Sequence, residues 1–304
     1  MKTEAPALYR FESLTDFHRV FGLSKPVHPM VSFIKIEDMT ITPDALPPSI
    51  VMPFYKIAYK ANVCGRVKYG QNYYDFGEGG LVFTAPGQIF ESPTGNASSG
   101  YILLFHPDFL LSYPLASTIK QFGFFTYAAN EALHLSETEL NAIFSVFKII
   151  EEELNSRIDK FSQDVLISQI ELLLNYSNRF YGRQFITRKA ASNDLLQRIE
   201  GILDDYFKSG KPSETGVPTV QLLAEKLGMS ASYLSDMLRS LTGENAQHHI
   251  HEKLVEKAKE RLSTSNLSVS EIAYELGFDY PQSFSRLFKT KTNLSPLAFR
   301  QSFN

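Results

Sequence analysis

The spacing of apolar residues changes part-way along the chain. From about Val31 to Phe105 they alternate in twos, so that Tyr55, Ile57 and Tyr59 share one face of the run 54–60. Turn residues at 77–80, 85–87 and 92–100 separate the runs, and the whole predicts an antiparallel barrel or sandwich. From Ser136 onward the spacing becomes three and four. A capping box, Ser136 to Glu139, opens a helix carrying Leu140, Ile143, Phe144, Phe147 and Ile150. Val165, Leu166, Ile170, Leu172, Leu173 and Leu174 predict a second helix over 164–179. Residues 183–193, where Arg183, Arg188 and Lys189 surround Ala190-Ala191-Ser192, read as a linker. Leu195, Leu196, Ile199, Ile202, Leu203 and Phe207 then mark a helix, 211–218 a loop, and Ile250, Leu254, Val255, Ala258 and Leu262 one long connecting helix.

Within the last third one pattern is written twice, first as Ala224, Gly228, Met229, Leu234, Leu238 and Arg239, then as Ala273, Gly277, Phe278, Phe284, Phe288 and Lys289. Each copy has a small residue that permits a close helix crossing, a glycine for the turn, and an apolar plug after it. That is the composition of a helix-turn-helix. The offset is 273 − 224 = 49 before the turn and 284 − 234 = 50 after it, so the second turn is one residue longer. Two such units offer two helices to two major grooves.

Local chemistry predicts the helix starts. Ser268 and Glu271 form a capping box, Asp279 is placed to cap the next helix, and Ser295-Pro296 supplies a cap followed by proline. At 100° per residue, Phe284, Leu287 and Phe288 face inward, which leaves Gln282, Arg286 and Lys289 outward with Ser283 and Thr290 beside them. Gln bonds adenine, Arg bonds guanine, and Lys suits phosphate. In the first unit Leu234, Met237, Leu238 and Leu241 point inward, and Ser232, Tyr233, Asp236 and Arg239 are the candidate contacts. Asp236 has two readings: it accepts from a cytosine amine, or it pairs with Arg239 on its own helix. From Pro281 to Asn304 there is no acidic residue, so the second unit is expected to carry most of the attraction to DNA.

Ala273, Gly277, Phe278, Phe284, Arg286, Phe288, Lys289, Asn293, Ser295, Pro296, Phe299 and Arg300 resemble the signature of the AraC/XylS family of bacterial transcription regulators. Asn293 departs from the family's usual glycine, and asparagine is the next most tolerant of a left-handed backbone. The run 80–87 resembles a strand motif of cupins, the jelly-roll barrels that such regulators often carry as effector domains. The resemblance implies double-stranded DNA and RNA polymerase as partners, activation more often than repression, and a homodimer through helices such as those at 136–180. Packing of those helices on the barrel explains the same apolar residues.

The expected fold is therefore α+β in two domains. Residues 1–182 form a cupin-like jelly-roll barrel with a helical pair, 183–193 a linker, and 194–304 an all-α domain of two helix-turn-helix units joined by a long helix.

The formal net charge of −3 confines any nucleic-acid contact to a local basic patch. Cys64, the single cysteine, excludes an internal disulfide and any multi-cysteine metal site. There is no apolar run of membrane-spanning length and no secretory signal, which predicts a cytoplasmic protein. Residues 69–88 hold no histidine, so the catalytic metal cluster of enzymatic cupins is not expected, nor any cofactor. His248, His249 and His251 lack further ligands nearby and read as a solvated helix start.

Aromatic residues, among them Tyr55, Tyr59, Tyr74 and Phe76, either line a small-molecule effector pocket or fill the barrel core. The function reads as a DNA-binding transcription regulator, and not an enzyme. The alternative is a DNA-tethered enzyme such as an alkyl-acceptor repair protein, which would need Cys64 in an activating setting that its neighbours Val63 and Gly65 do not supply.

Overall fold

The computed structural model of the protein describes residues 8–40, 49–61, 67–69, 72–74, 79–91, 99–128, 131–187 and 189–302. Cys64 and Phe76 lie outside the described residues, as do the side chains of Tyr69, Tyr73, Tyr74 and Phe90 and the turn at 92–98. The chain divides into two compact units, 1–184 and 185–304.

The first unit is built on two sheets. β1 (Leu8–Arg10), β3 (Ser49–Val51) and β8 (Ile89–Glu91) form one, in the order β1-β3-β8. The larger joins β2 (Val31–Lys35), β4 (Tyr55–Ala61), β7 (Gly80–Thr84), β9 (Ser99–Phe105) and β10 (Leu133–His134) in the order β10-β7-β4-β9-β2, every pair antiparallel. A separate hairpin pairs β5 (Val67–Tyr69) with β6 (Asn72–Tyr74). Helices α1 (Leu14–Val20), α2 (Leu115–Thr118), α3 (Glu137–Asn155) and α4 (Ser162–Thr187) complete the unit.

The large sheet is covered on both faces, which is why β9 is buried without alternation from Ile102 to Phe105. On one face Tyr59 meets Phe144 of α3 edge-on at 5.0 Å, Tyr55 stacks on Phe105 at 5.1 Å, and Phe83 packs on Phe124 at 4.4 Å. On the other, Ala58, Ile34, Ile102 and Leu104 share a core with Leu14 and Phe17 of α1 and with Ile50 and Met52. Tyr55 and Tyr59, which could line an effector pocket or fill the core, make ring contacts in the core: Tyr59 is buried, and Tyr55 also meets Phe125 edge-on at 5.0 Å. They sit there because the odd-numbered residues of β4 point to the face covered by α3, and Ala58 to the face covered by α1.

The capping box forms as the sequence predicts: Ser136 accepts from the Glu139 amide and Glu139 accepts from the Ser136 amide at 2.9 Å. The following helix is longer than the 164–179 expected. It continues because Phe180, Tyr181 and Phe185 are buried, carrying the apolar spacing past Arg179 and Gly182. Arg183, expected in a linker, donates to Glu139 at 2.6 Å and to the His134 carbonyl at 2.7 Å. The rest of the expected linker is helical on both sides of residue 188, since α5 spans Lys189–Lys208.

In the second unit α5 is followed by α6 (Lys211–Thr215), a short helix where a loop is expected. Then come α7 (Val220–Leu227), α8 (Ala231–Thr242), α9 (Ala246–Thr264), α10 (Val269–Glu275), α11 (Pro281–Thr292) and α12 (Pro296–Gln301). Ile250, Leu254, Val255, Ala258 and Leu262 bury one side of α9, the predicted connecting helix. Among the described residues, no helix is long and apolar enough to cross a membrane.

Candidate nucleic-acid interface

The repeat is a repeat of backbone geometry. Thr219 caps α7 and Ser268 caps α10, 49 residues apart, each accepting from the amide three residues on. The turns are closed by the same bond, from the Met229 amide to the Ala224 carbonyl and from the Phe278 amide to the Ala273 carbonyl, both 2.9 Å. Ala224 and Ala273 are fully buried, as a close crossing requires. Gly228 and Gly277 hold φ of 71° and 90°, where a side chain is strained.

Past the turn the offset becomes 50: α8 is capped by Ser230 and α11 by Tyr280. Tyr280 offers no side-chain bond to the helix, and Asp279, expected to cap it, sits one position too early. The sequence missed a further shared device at the helix ends. Thr242 donates to the Leu238 carbonyl and accepts from the Glu244 amide at 3.1 Å, while Thr292 donates to the Phe288 carbonyl and accepts from the Leu294 amide at 3.3 Å. A threonine three residues before a capping Asn245 or Ser295 is the signal that would have found it. Asn293 takes φ of 62°, so the left-handed end survives without glycine.

On α11, Phe284 and Phe288 are buried, and Phe288 meets Phe299 of α12 edge-on at 5.4 Å. Gln282, Ser283, Arg286 and Lys289 are exposed on the opposite side. Neither Arg286 nor Lys289 forms an ion pair among the described residues, whereas several other cations of the unit are engaged. Lys253 and Lys257 of α9 reach Asp204 of α5 at 3.0 and 3.6 Å, and the hydrogen bond from Lys253 holds the Asp204 carboxyl below its usual range. Arg261 pairs with Glu275, and Lys291 approaches His248 at 3.2 Å. Arg300 donates to the Leu262 carbonyl at 3.2 Å, tying α12 to the end of α9. Its place in the signature is thus structural.

The first unit is different. On α8, Arg239 donates to Asp236 at 2.8 Å, the same-helix pairing that was one of the two readings of Asp236. Ser232 is half-buried in the first turn. Tyr233, expected to reach DNA, is fully buried and meets Phe185 edge-on at 5.1 Å. It follows Ser232 by 100°, which carries it from the outward to the inward side.

The histidines at the start of α9 bond locally: His248 lies 3.0 Å from Glu244 and 2.9 Å from Glu252, and His251 lies 2.8 Å from Gln247.

Residues 223–302 match the family described as "Helix-turn-helix domain". Over 141 residues the chain is 30% identical to the HTH-type transcriptional activator RhaS of Salmonella paratyphi B, a match covering 46% of each protein. The chain thus spans about half the length of the curated relatives it matches. Among solved structures, similarity extends to the C-terminal domain of AraT, a response regulator from Geobacillus stearothermophilus, at 29% identity over 36% of this chain and 84% of that one, with a TM-score of 0.31. It extends also to the DNA-binding domain of AdpA in complex with a target DNA, at 27% identity over 36% of this chain and 91% of that one, TM-score 0.31. Residues 223–302 thus form a helix-turn-helix domain similar to that of the transcriptional activator RhaS.

Proposed function

We propose that the protein is a sequence-specific DNA-binding transcription regulator acting in the cytoplasm, in which α8 and α11 enter successive major grooves of an asymmetric site. The observation that carries this reading is the exposed row Gln282, Ser283, Arg286 and Lys289 on the second helix of a helix-turn-helix, open while neighbouring cations are paired. Polar and basic side chains of these types are what base edges and phosphates accept. The first unit contributes Ser232, Asp236 and Arg239, with Arg239 neutralised by its neighbour.

The N-terminal unit is the sensing and dimerisation module. Its two sheets support a cupin-like barrel, and exposed Ile149 on α3 and Leu172 on α4 support a homodimer. Activation through RNA polymerase follows the family and RhaS, which is an activator. Footprinting of genomic fragments with the full chain tests the reading: protection of a discrete asymmetric site, lost in Arg286→Ala, is the expected result. Uniform affinity for unrelated fragments would overturn it.

A further inference from the structure

Past the turn, the offset of 50 between the two copies sets Tyr280 against Ser230 and Ser283 against Tyr233. Serine and tyrosine have changed places. In the first unit the serine caps α8, its hydroxyl accepting from the Tyr233 amide at 3.2 Å, and the tyrosine is buried. In the second the serine is exposed on the outward row and the tyrosine stands at the start of α11.

The exchange costs the helix a cap, since serine is among the strongest residues at that position and an aromatic ring is not. Tyr280 returns nothing to the fold in exchange. Its side chain makes no hydrogen bond to α11, and among the described residues its ring meets no other ring. At 69% it is the most exposed of the large hydrophobic side chains among those residues.

The backbone fixes where the ring leaves the chain. Pro281 restricts the residue before it to the extended region, and Tyr280 lies there at φ −130° and ψ 119°. The ring is therefore held at the N-terminal end of α11, next to Gln282, Ser283 and Arg286, and that end of a reading helix is the one whose residues meet base edges. Exposed Asp279 beside it opposes a phosphate at the same place, which leaves the base edge as the partner of the ring.

We propose that Tyr280 is a specificity-determining residue of the interface, its ring laid against the C5-methyl group of a thymine adjoining the bases read by Gln282 and Arg286. Local stability is given up at this position for recognition. This role deepens the proposed regulator function and rests on α11 as its groove-entering helix.

Fluorescence anisotropy of the full chain, on a duplex taken from its own footprint and on a scrambled duplex, tests it. Tyr280→Ala lowers affinity for the specific duplex about tenfold, the cost of one unread base pair, and leaves the scrambled duplex unchanged. Tyr280→Phe keeps the parent's affinity, because the methyl contact uses the ring. Tyr280→Ser installs the cap of the first unit, so it melts higher than the parent and yet binds the specific duplex as poorly as Tyr280→Ala, which separates lost reading from lost folding. Replacing thymines by deoxyuridine one at a time removes only the methyl group: one replacement weakens the parent and has no effect in Tyr280→Ala. Parent-like affinity in Tyr280→Ala or Tyr280→Ser, equal loss on both duplexes, or the lack of any such thymine would each overturn the role. A loss in Tyr280→Phe as large as in Tyr280→Ala overturns the methyl contact in favour of a hydroxyl on phosphate. All of these leave the regulator reading standing, whereas a parent protein without any discrete footprint defeats that reading and the role of Tyr280 together.

Discussion

Gly216 and Gly277 lie in backbone contact: a Cβ on Gly277 would come within 2.5 Å of the Gly216 carbonyl carbon and 2.8 Å of the Val217 nitrogen. Gly277 is the turn of the second helix-turn-helix, and Gly216 ends the short α6 before the first. The two reading units are thus set relative to each other through main chain as well as through α9. Tyr206 of α5 fixes the same spot, donating to the Gly216 carbonyl at 2.8 Å.

Gly277→Ala should therefore destabilise by more than the roughly 1–2 kcal/mol of a left-handed alanine, because the neighbour it strikes is backbone. Thermal unfolding of the variant measures this. Affinity for a full two-groove site should fall more than affinity for a fragment carrying only the half read by α11. Equal losses on both would show that the contact does not set the spacing.

Arg286→Ala should weaken specific binding by about 1–3 kcal/mol and relax preference at one or two base pairs. Lys289→Ala, if Lys289 meets a phosphate, should weaken all sequences alike and reduce the slope of log affinity against log salt by about one contact. Fluorescence anisotropy across a salt series, on specific and scrambled duplexes, distinguishes the two behaviours.

Asp236→Ala should free Arg239, since the pair at 2.8 Å is what engages that guanidinium. Total affinity then stays equal or rises, the salt slope steepens, and sequence preference in the first half-site blurs. The stability cost is small, because an exposed same-helix pair contributes only about 0.3–0.5 kcal/mol. Loss of all binding in a folded variant would mean that Asp236 itself reads a base.

His18 is buried, bonded to the Ser24 carbonyl and the Ser32 hydroxyl, and burial holds its imidazole below the ordinary 6.5. The unfolded chain then binds the proton more readily, so the stability due to neutral His18 is present above 6.5 and is lost as pH falls below it. The melting temperature should drop between pH 7.5 and 5.5, and His18→Gln should flatten part of that dependence. Part will remain, because burial lowers His28, His249 and His251 in the same sense.

What the sequence determined by itself is local. Caps at Ser136, Ser268 and Ser295, the glycine turns, the 49-then-50 offset and the outward row on α11 depend on residues within a few positions of each other. Hydrogen bonds and helical phase act over that range, so a linear reading reaches them.

The tertiary structure decided what depends on a partner far along the chain. A strand has two faces, and alternation alone does not say which helix covers each. Tyr59 belongs to the core because Phe144, 85 residues later, packs on it, and Lys56 and Lys60 then fall on the side of α1. Tyr233 is inward because Phe185 covers it, and Arg183 is part of a helix because Glu139 receives it. The backbone contact of Gly216 with Gly277 has no signature in either stretch, since close approach is a property of the pair. Burial and ion pairing are long-range choices among neighbours that folding alone brings together.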